Sequence, residues 1–237
     1  MGVLKQSRFY DLNIHSLPDC ADSRSRLVLE AKDMGYSGIC LTSFNKNNTL
    51  HKLDIPLPAL KDFEIYTGIE IQVEKVAKLT KEVSRLRGKV DIIIIAGGNE
   101  DINRAAVENG KVDILAHPTA HGKPLNHVLA KAAANNGVAV DFNMDALIMQ
   151  RGGSRIKVLA AMQQNLMLAR KYSVPMVITS NARSHYDLRS PREMMALAMF
   201  FGMTQDEALH ALSMVPQGII RCNTDSNRIM EGVEVVK

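Results

Sequence analysis

One repeating pattern constrains this chain more than any other: a short apolar run, a polar loop, an amphipathic helical stretch, then another apolar run. Residues 8–14, 37–42, 63–68, 90–95, 112–116, 137–142 and 174–179 read as strands. Residues 91–95 are almost continuously apolar, as expected of a strand buried on both faces. Helices are predicted near 75–87, 100–109, 124–135 and 154–172, the last with Leu159, Met162, Leu166 and Ala169 on one face. An earlier helix, capped by Asp22 or Ser23, turns Leu27, Ala31 and Met34 inward and stops at Gly35. Two later helices open on capping boxes, Ser190-Pro191-Arg192-Glu193 and, after Gly202, Thr204-Gln205-Asp206-Glu207.

Seven strands alternating with helices predict parallel β/α units and an α/β fold. The expected architecture is a TIM-like barrel, closed or nearly closed, of about seven parallel strands. A doubly wound open sheet would show the same alternation. However, the first strand–helix loop, 16–21, has no glycine-rich dinucleotide fingerprint. The 237 residues suit one barrel, and no linker interrupts them. Residues 1–223 are therefore read as one domain. Past Cys222 the composition turns polar and loses periodicity, so 224–237 is read as a loose tail.

Cys20, Cys40 and Cys222 are odd in number and far apart, which reads as ordinary reduced thiols and a cytoplasmic setting. No apolar stretch approaches membrane-spanning length, and Met1-Gly2 leads toward a strand with no apolar leader core. Position 6 is Gln, so the myristoylation pattern fails. With no Trp and few aromatic residues, an aromatic platform for single-stranded nucleic acid is not expected.

The net charge is +4, but its distribution is uneven. Residues 151–192 hold Arg151, Arg155, Lys157, Arg170, Lys171, Arg183, Arg189 and Arg192 against one acid, Asp187, a net +7 that leaves the rest of the chain at −3. A solvated helix face is the plain reading of such a run. A segment more basic than the whole protein, six of its eight cations arginine, instead suggests a footprint for phosphate. Within it, Arg151-Gly152-Gly153-Ser154-Arg155-Ile156-Lys157 sets two glycines, an expected N-cap Ser154 and three cations at a helix start, a combination suited to anions. The other glycine pair, Gly97-Gly98, is followed by acids and reads as a plain turn.

In β/α barrels function gathers at the C-terminal strand ends. Here those ends read Asn13-Ile14-His15, Thr42-Ser43-Phe44, Gly68-Ile69-Glu70, Ala116-His117-Pro118, Asp141-Phe142-Asn143 and Ser180-Asn181-Ala182-Arg183. Their order resembles the polymerase-and-histidinol-phosphatase (PHP) phosphoesterases from strand one to about residue 185. Those enzymes carry His-x-His, Thr-Asp-His, Glu, His-Pro and Ser-Asp-Ala-His at the corresponding places. His15, Glu70 and His117 match. Asn13, Ser43, Phe44, Asn181 and Arg183 stand where the pattern has ligands. A multinuclear metal site needs several anionic or imidazole ligands. Missing ligands and an added Arg therefore imply a vestigial site with no metal and no cofactor, although His15, Glu70 and His117 could hold one weak zinc. Arg183 could replace the absent metal charge by pairing with Glu70 or Asp141, or could point outward to a phosphate; the internal pairing is preferred.

The eroded site, the Asn181-Ala182-Arg183-Ser184 turn, the Leu188-Arg189-Ser190-Pro191-Arg192-Glu193 entry and the Gly202…Glu207-Ala208-Leu209 run together resemble the ribonuclease P protein component 3 family, the 30 kDa subunits of archaea and eukaryotes. The similarity spans nearly the whole chain. It implies a degenerate PHP-like barrel that binds and helps fold the catalytic RNA of ribonuclease P for 5′ maturation of precursor tRNA. Catalysis would come from the RNA. The implied partners are that RNA, a small ferredoxin-like protein subunit and other ribonuclease P proteins. The expected RNA-binding residues are Lys123, Arg151, Arg155, Lys157, Arg183, Arg189 and Arg192. Two other readings stay open: an active PHP-like metallophosphoesterase, and a metal-free barrel enzyme using Glu70, His117 and Asp141 as acid–base groups.

Overall fold

The computed structural model describes residues 7–44, 61–119 and 124–224, together with the backbone of 228–230 and 233–234. All seven expected strands form: β1 (Tyr10–His15), β2 (Gly38–Phe44), β3 (Glu64–Ile71), β4 (Ile92–Ala96), β5 (Ile114–Ala116), β6 (Ala139–Asn143) and β7 (Met176–Thr179). They lie side by side in chain order, and each neighbouring pair is parallel. Past β7, Ala182 bridges to Ile14, and the His15 N–H donates to the Ala182 carbonyl at 2.8 Å. That bond brings the sheet round to its first strand, giving the expected TIM-like barrel of seven parallel strands.

The helices α1 (Arg24–Asp33), α2 (Val76–Leu86), α3 (Glu100–Val107), α4 (His127–Asn136), α5 (Met144–Met149), α6 (Gly152–Tyr172), α7 (Pro191–Phe200), α8 (Gln205–Leu212) and α9 (Met214–Thr224) follow in chain order. Ser23 caps α1, and Gly35 ends it at φ 96°. Both predicted capping boxes are made, at Ser190 with Glu193 and at Thr204 with Glu207. The α6 start differs from expectation. It begins at Gly152 with Arg151 in the cap position, so Ser154 lies inside the first turn rather than capping it. Neither α5 nor α9 is predicted by periodicity: α5 has six residues, and α9 begins with Pro216 in its first turn. In the 224–237 segment, Arg228–Met230 and Val233–Glu234 pair antiparallel.

The barrel interior changes character along its axis. At the N-terminal end Tyr10, Leu12, Ile92, Ile94, Ile114 and Val177 pack together, and Ile220 of α9 closes them off. Asn223 of the same helix donates to the Asp91 carbonyl and to Asp113. Gly68 keeps this interior narrow, since a Cβ there would meet the Cys40 sulfur at 2.5 Å. At the C-terminal end the inward side chains are polar and buried: Asn13, His15, Glu70, Asp141, Asn143, Thr179 and Asn181. A β-bulge between Asp11 and Ile14 makes this change possible on β1. It shifts the alternation so that Asn13 and His15 face the mouth while Ile14 joins the outer core.

Candidate functional site

Five of the strand-end residues expected to mark the vestigial site come together. Glu70 on β3 is the hub. One oxygen lies 3.2 Å from His15 Nε2 and 3.4 Å from the Asn13 side-chain amide nitrogen; the other lies 3.7 Å from His117 Nε2. Asn181 links the far side, with its Oδ1 2.9 Å from His15 Nε2 and its Nδ2 3.5 Å from His117 Nε2. His117 and Asn181 reach inward from left-handed backbone, at φ 49° and 50°. Non-glycine residues seldom adopt that conformation, and it concentrates where a site aims a side chain.

The remaining His15 nitrogen faces the Thr42 carbonyl at 3.2 Å, and the ring stacks on Phe44 with centroids 4.1 Å apart. A hydrophobic ring thus fills the space where the PHP pattern has a ligand. Burial alone would push the Glu70 carboxyl up. The His15 hydrogen bond and the nearby His117 and Asn13 instead hold it below the usual carboxylate range.

Three contributors had no role assigned to them from sequence. Asp145 of α5 accepts from Asn181 Nδ2 at 2.7 Å. Asn143 positions His117 by accepting its backbone N–H at 3.1 Å, and donates to Asp141 at 2.8 Å. Thr179 donates to the same Asp141 oxygen at 2.7 Å. Burial, with Asp11, Asp145 and Glu70 nearby, raises the Asp141 carboxyl well above its ordinary range despite the Thr179 bond. Asp11 is pushed up to about 6 by burial, against hydrogen bonds from Ser180 and the Asn13 backbone. The only available signal for Asp145 was its position just past a strand end, because α5 is too short to show a helical period.

These residues do not fit a metal centre. Glu70 directs its two oxygens at the two imidazoles, and Asn181 faces both rings with an amide. Among the described residues no group of three or more His, Cys, Asp or Glu side chains is arranged to hold an ion. Weak zinc binding by His15, Glu70 and His117 is therefore not supported by the geometry.

The expected internal pairing of Arg183 is corrected. Its side chain is exposed, and its guanidinium lies 5.6 Å from the Phe44 ring centroid, not on Glu70 or Asp141. His15, Asn13 and His117 already surround the Glu70 carboxylate, while Asp141 keeps one buried oxygen without a partner among the described residues.

The basic segment does not form one patch. α6 is 21 residues long, about 30 Å, and separates its two ends. Arg170 lies at the far end, paired with Glu207 at 2.7 Å and donating to the Gly202 carbonyl. At the mouth, Arg151, Arg155, Lys157, Arg183 and Arg192 are exposed and Arg189 is half-buried. Arg155 also ties down the end of α5 by donating to the Gln150 and Ile148 carbonyls. Lys123 lies outside the described residues. Between α5 and the loop after β7 is a cavity of about 220 Å³, lined by Asp145, Met149, Asn181, Arg183, Asp187 and Arg189 among others. The Gly97-Gly98 pair is a packed turn, as read from sequence: the Gly98 N–H donates to Asn103 at 2.9 Å.

Residues 8–228 match the family model described as RNase P subunit p30. The chain belongs to the RNase P subunit p30 family. It is 45% identical to Ribonuclease P protein component 3 of Methanococcoides burtonii, over 98% of this chain and 95% of that protein. The Methanosarcina mazei protein of the same name is also 45% identical, over 97% and 96%. A chain in the cryo-EM structure of archaeal Ribonuclease P with mature tRNA superposes with a TM-score of 0.78 at 25% identity, covering 95% of this chain and 98% of that one. Histidinol phosphate phosphatase of Lactococcus lactis, solved with zinc, L-histidinol and phosphate, gives a TM-score of 0.55 at 14% identity, a likeness of fold alone. The p30 chain thus has the barrel of such phosphatases, but His15, Glu70, His117 and Asn181 lie in direct contact with one another.

Proposed function

We propose that this p30-family chain is a non-catalytic protein subunit of ribonuclease P that binds the catalytic RNA through the cations at its barrel mouth and helps it fold. The observation that carries this reading is the Glu70 cluster: its imidazoles face the Glu70 carboxylate and the Asn181 amide, beside a rim of exposed Arg and Lys. Arg151, Arg155, Lys157, Arg183, Arg189 and Arg192 are the proposed phosphate contacts, and Lys123 belongs with them by sequence. No side chain caps the α6 start, so its first N–H groups add to the favourable potential there. Family membership and the fold shared with a chain of archaeal ribonuclease P support the assignment.

The partners proposed with it are other ribonuclease P proteins, including the small ferredoxin-like subunit, in the cytoplasm. An active metallophosphoesterase is disfavoured because the retained His15, Glu70 and His117 hold one another. A metal-free acid–base enzyme is disfavoured because Asp141 is fully buried beneath Thr179 and Asn143. The deciding experiment is reconstitution of precursor-tRNA cleavage from the catalytic RNA and its protein subunits. Omitting this chain should reduce cleavage at moderate magnesium. Cleavage unaffected by its omission would refute the proposal.

A further inference from the structure

Beside the mouth cations stands an aromatic ring that the phosphate reading does not use. Tyr186, in the 3₁₀ turn His185–Asp187 after β7, is 76% exposed. The chain's other four tyrosines are buried or half-buried. Among the described residues the other exposed aromatic is Phe200, at the far end of α7.

The Tyr186 turn is held from several sides. Asp22 accepts from the Ser184 hydroxyl at 2.9 Å, from the His185 backbone N–H at 2.7 Å and from His185 Nδ1 at 2.7 Å. Arg26 donates to His185 Nε2 at 2.8 Å. Asp187 accepts the Arg183 N–H at 3.1 Å, and Arg189 donates to the Tyr186 carbonyl at 2.8 Å. The His185 ring packs against the Tyr186 ring with centroids 3.8 Å apart. The tyrosine is therefore fixed in place from one side while most of its surface remains in water. Two arginines, Arg183 and Arg189, flank it within three residues.

A rigid, solvent-facing ring between cations matches the chemistry of an unpaired nucleotide, in which a base needs a flat apolar surface and its phosphates need positive charge. We propose that Tyr186 is a base-stacking residue, receiving an unstacked nucleobase of RNA whose flanking phosphates lie on Arg183 and Arg189. This rests on the RNA-binding reading above and adds to it a site for unpaired rather than helical RNA. Stacking is tolerant of base identity, so a preference for single-stranded or looped RNA is expected rather than for one sequence.

The chain has no tryptophan, so Tyr186→Trp installs a unique fluorophore at the proposed stacking position. The full chain is titrated with a ribonuclease P RNA and, separately, with a blunt-ended RNA duplex. Tyr186→Ala should bind the ribonuclease P RNA about tenfold more weakly at fixed salt, as expected when one stacking ring is removed. The salt dependence should not change, because every phosphate-binding cation is retained. Its duplex binding should equal the parent's, and so should its melting temperature. Tyr186→Phe should retain binding, and Phe200→Ala should bind like the parent. Tyr186→Trp fluorescence should be quenched by the ribonuclease P RNA and not by the duplex. If the parent binds and Tyr186→Ala matches it, or if the tryptophan signal is unmoved at saturation, stacking is overturned while the RNA-binding reading stands, and the ring is assigned to a protein interface. A parent that binds neither RNA overturns both.

Discussion

The Glu70 carboxylate and the His15 imidazole meet at 3.2 Å inside the barrel mouth, both almost completely shielded from water. Replacing the carboxylate by an amide leaves one accepting oxygen for two rings and the Asn13 amide, and turns an N–H donor toward groups that now face an acceptor. Glu70→Gln should therefore cost about 2 kcal/mol in urea unfolding, the usual scale for a buried hydrogen-bonding group left unmatched. Zinc added to the parent should leave its melting temperature unchanged, and no phosphoester should turn over. Manganese- or zinc-dependent turnover that disappears in His15→Ala would show that the cluster opens to hold metal after all.

The three cations at the α6 start should not behave alike. Arg151→Ala and Lys157→Ala should each weaken RNA binding and lower the slope of log affinity against log salt by about 0.7 to 0.9 for each phosphate no longer neutralised, without moving the melt. Arg155→Ala should weaken binding and also lower the melting temperature, because its guanidinium holds the Gln150 and Ile148 carbonyls. A parallel series of salt titrations and thermal melts separates these outcomes.

Arg170 supplies the contrast. It belongs to the same basic stretch of sequence but pairs with Glu207 at the far end of α6. Arg170→Ala should cost about 1 kcal/mol of stability, the scale of a partly exposed two-pronged pair, and leave RNA affinity as it was. Weakened RNA binding at unchanged stability would place RNA on that end of the barrel.

The buried acids give the protein an unusual response to pH. Asp11, pushed up to about 6 by burial, binds its proton more tightly in the folded state than in the unfolded chain, where Asp titrates near 3.9. Between about pH 4 and pH 6 the folded state therefore carries more protons, and stability falls as pH rises, by about 3 kcal/mol across that window. Asp141, also raised, acts in the same direction. Below about pH 4 the sign reverses, since Glu70, Asp22 and Glu207 are held low and their contributions disappear as they protonate. Urea unfolding from pH 3 to pH 7 should thus peak near the acid end, and Asp11→Asn should flatten the decline above it. A parent profile that rises steadily to pH 7 would contradict the burial of Asp11 as a costly charge.

Sequence alone determined the barrel, because its signals are local. Period-two and period-3.6 patterning, the Gly35 stop and the Ser190 and Thr204 boxes each depend on residues within a turn or two of one another, and all formed where read. The strand-end positions Asn13, His15, Glu70, His117 and Asn181 were legible for the same reason, since a parallel barrel gathers its C-terminal strand ends at one mouth. What those residues do there was not legible. The Glu70 acceptor for His15 is 55 positions away, Asn181 is 166 away, and the bulge that turns His15 inward leaves no mark in composition. The basic segment misled in the opposite way: residues 151–192 are contiguous in sequence, but a helix of about 30 Å carries Arg170 away from Arg151. Arg183 lies outward, and the Glu70 charge is met by groups from two other strands, Asn13 and His15 of β1 and His117 at the end of β5. Charge balance in a buried site depends on which side chains the fold brings within a few ångströms, and only the closed barrel sets those distances.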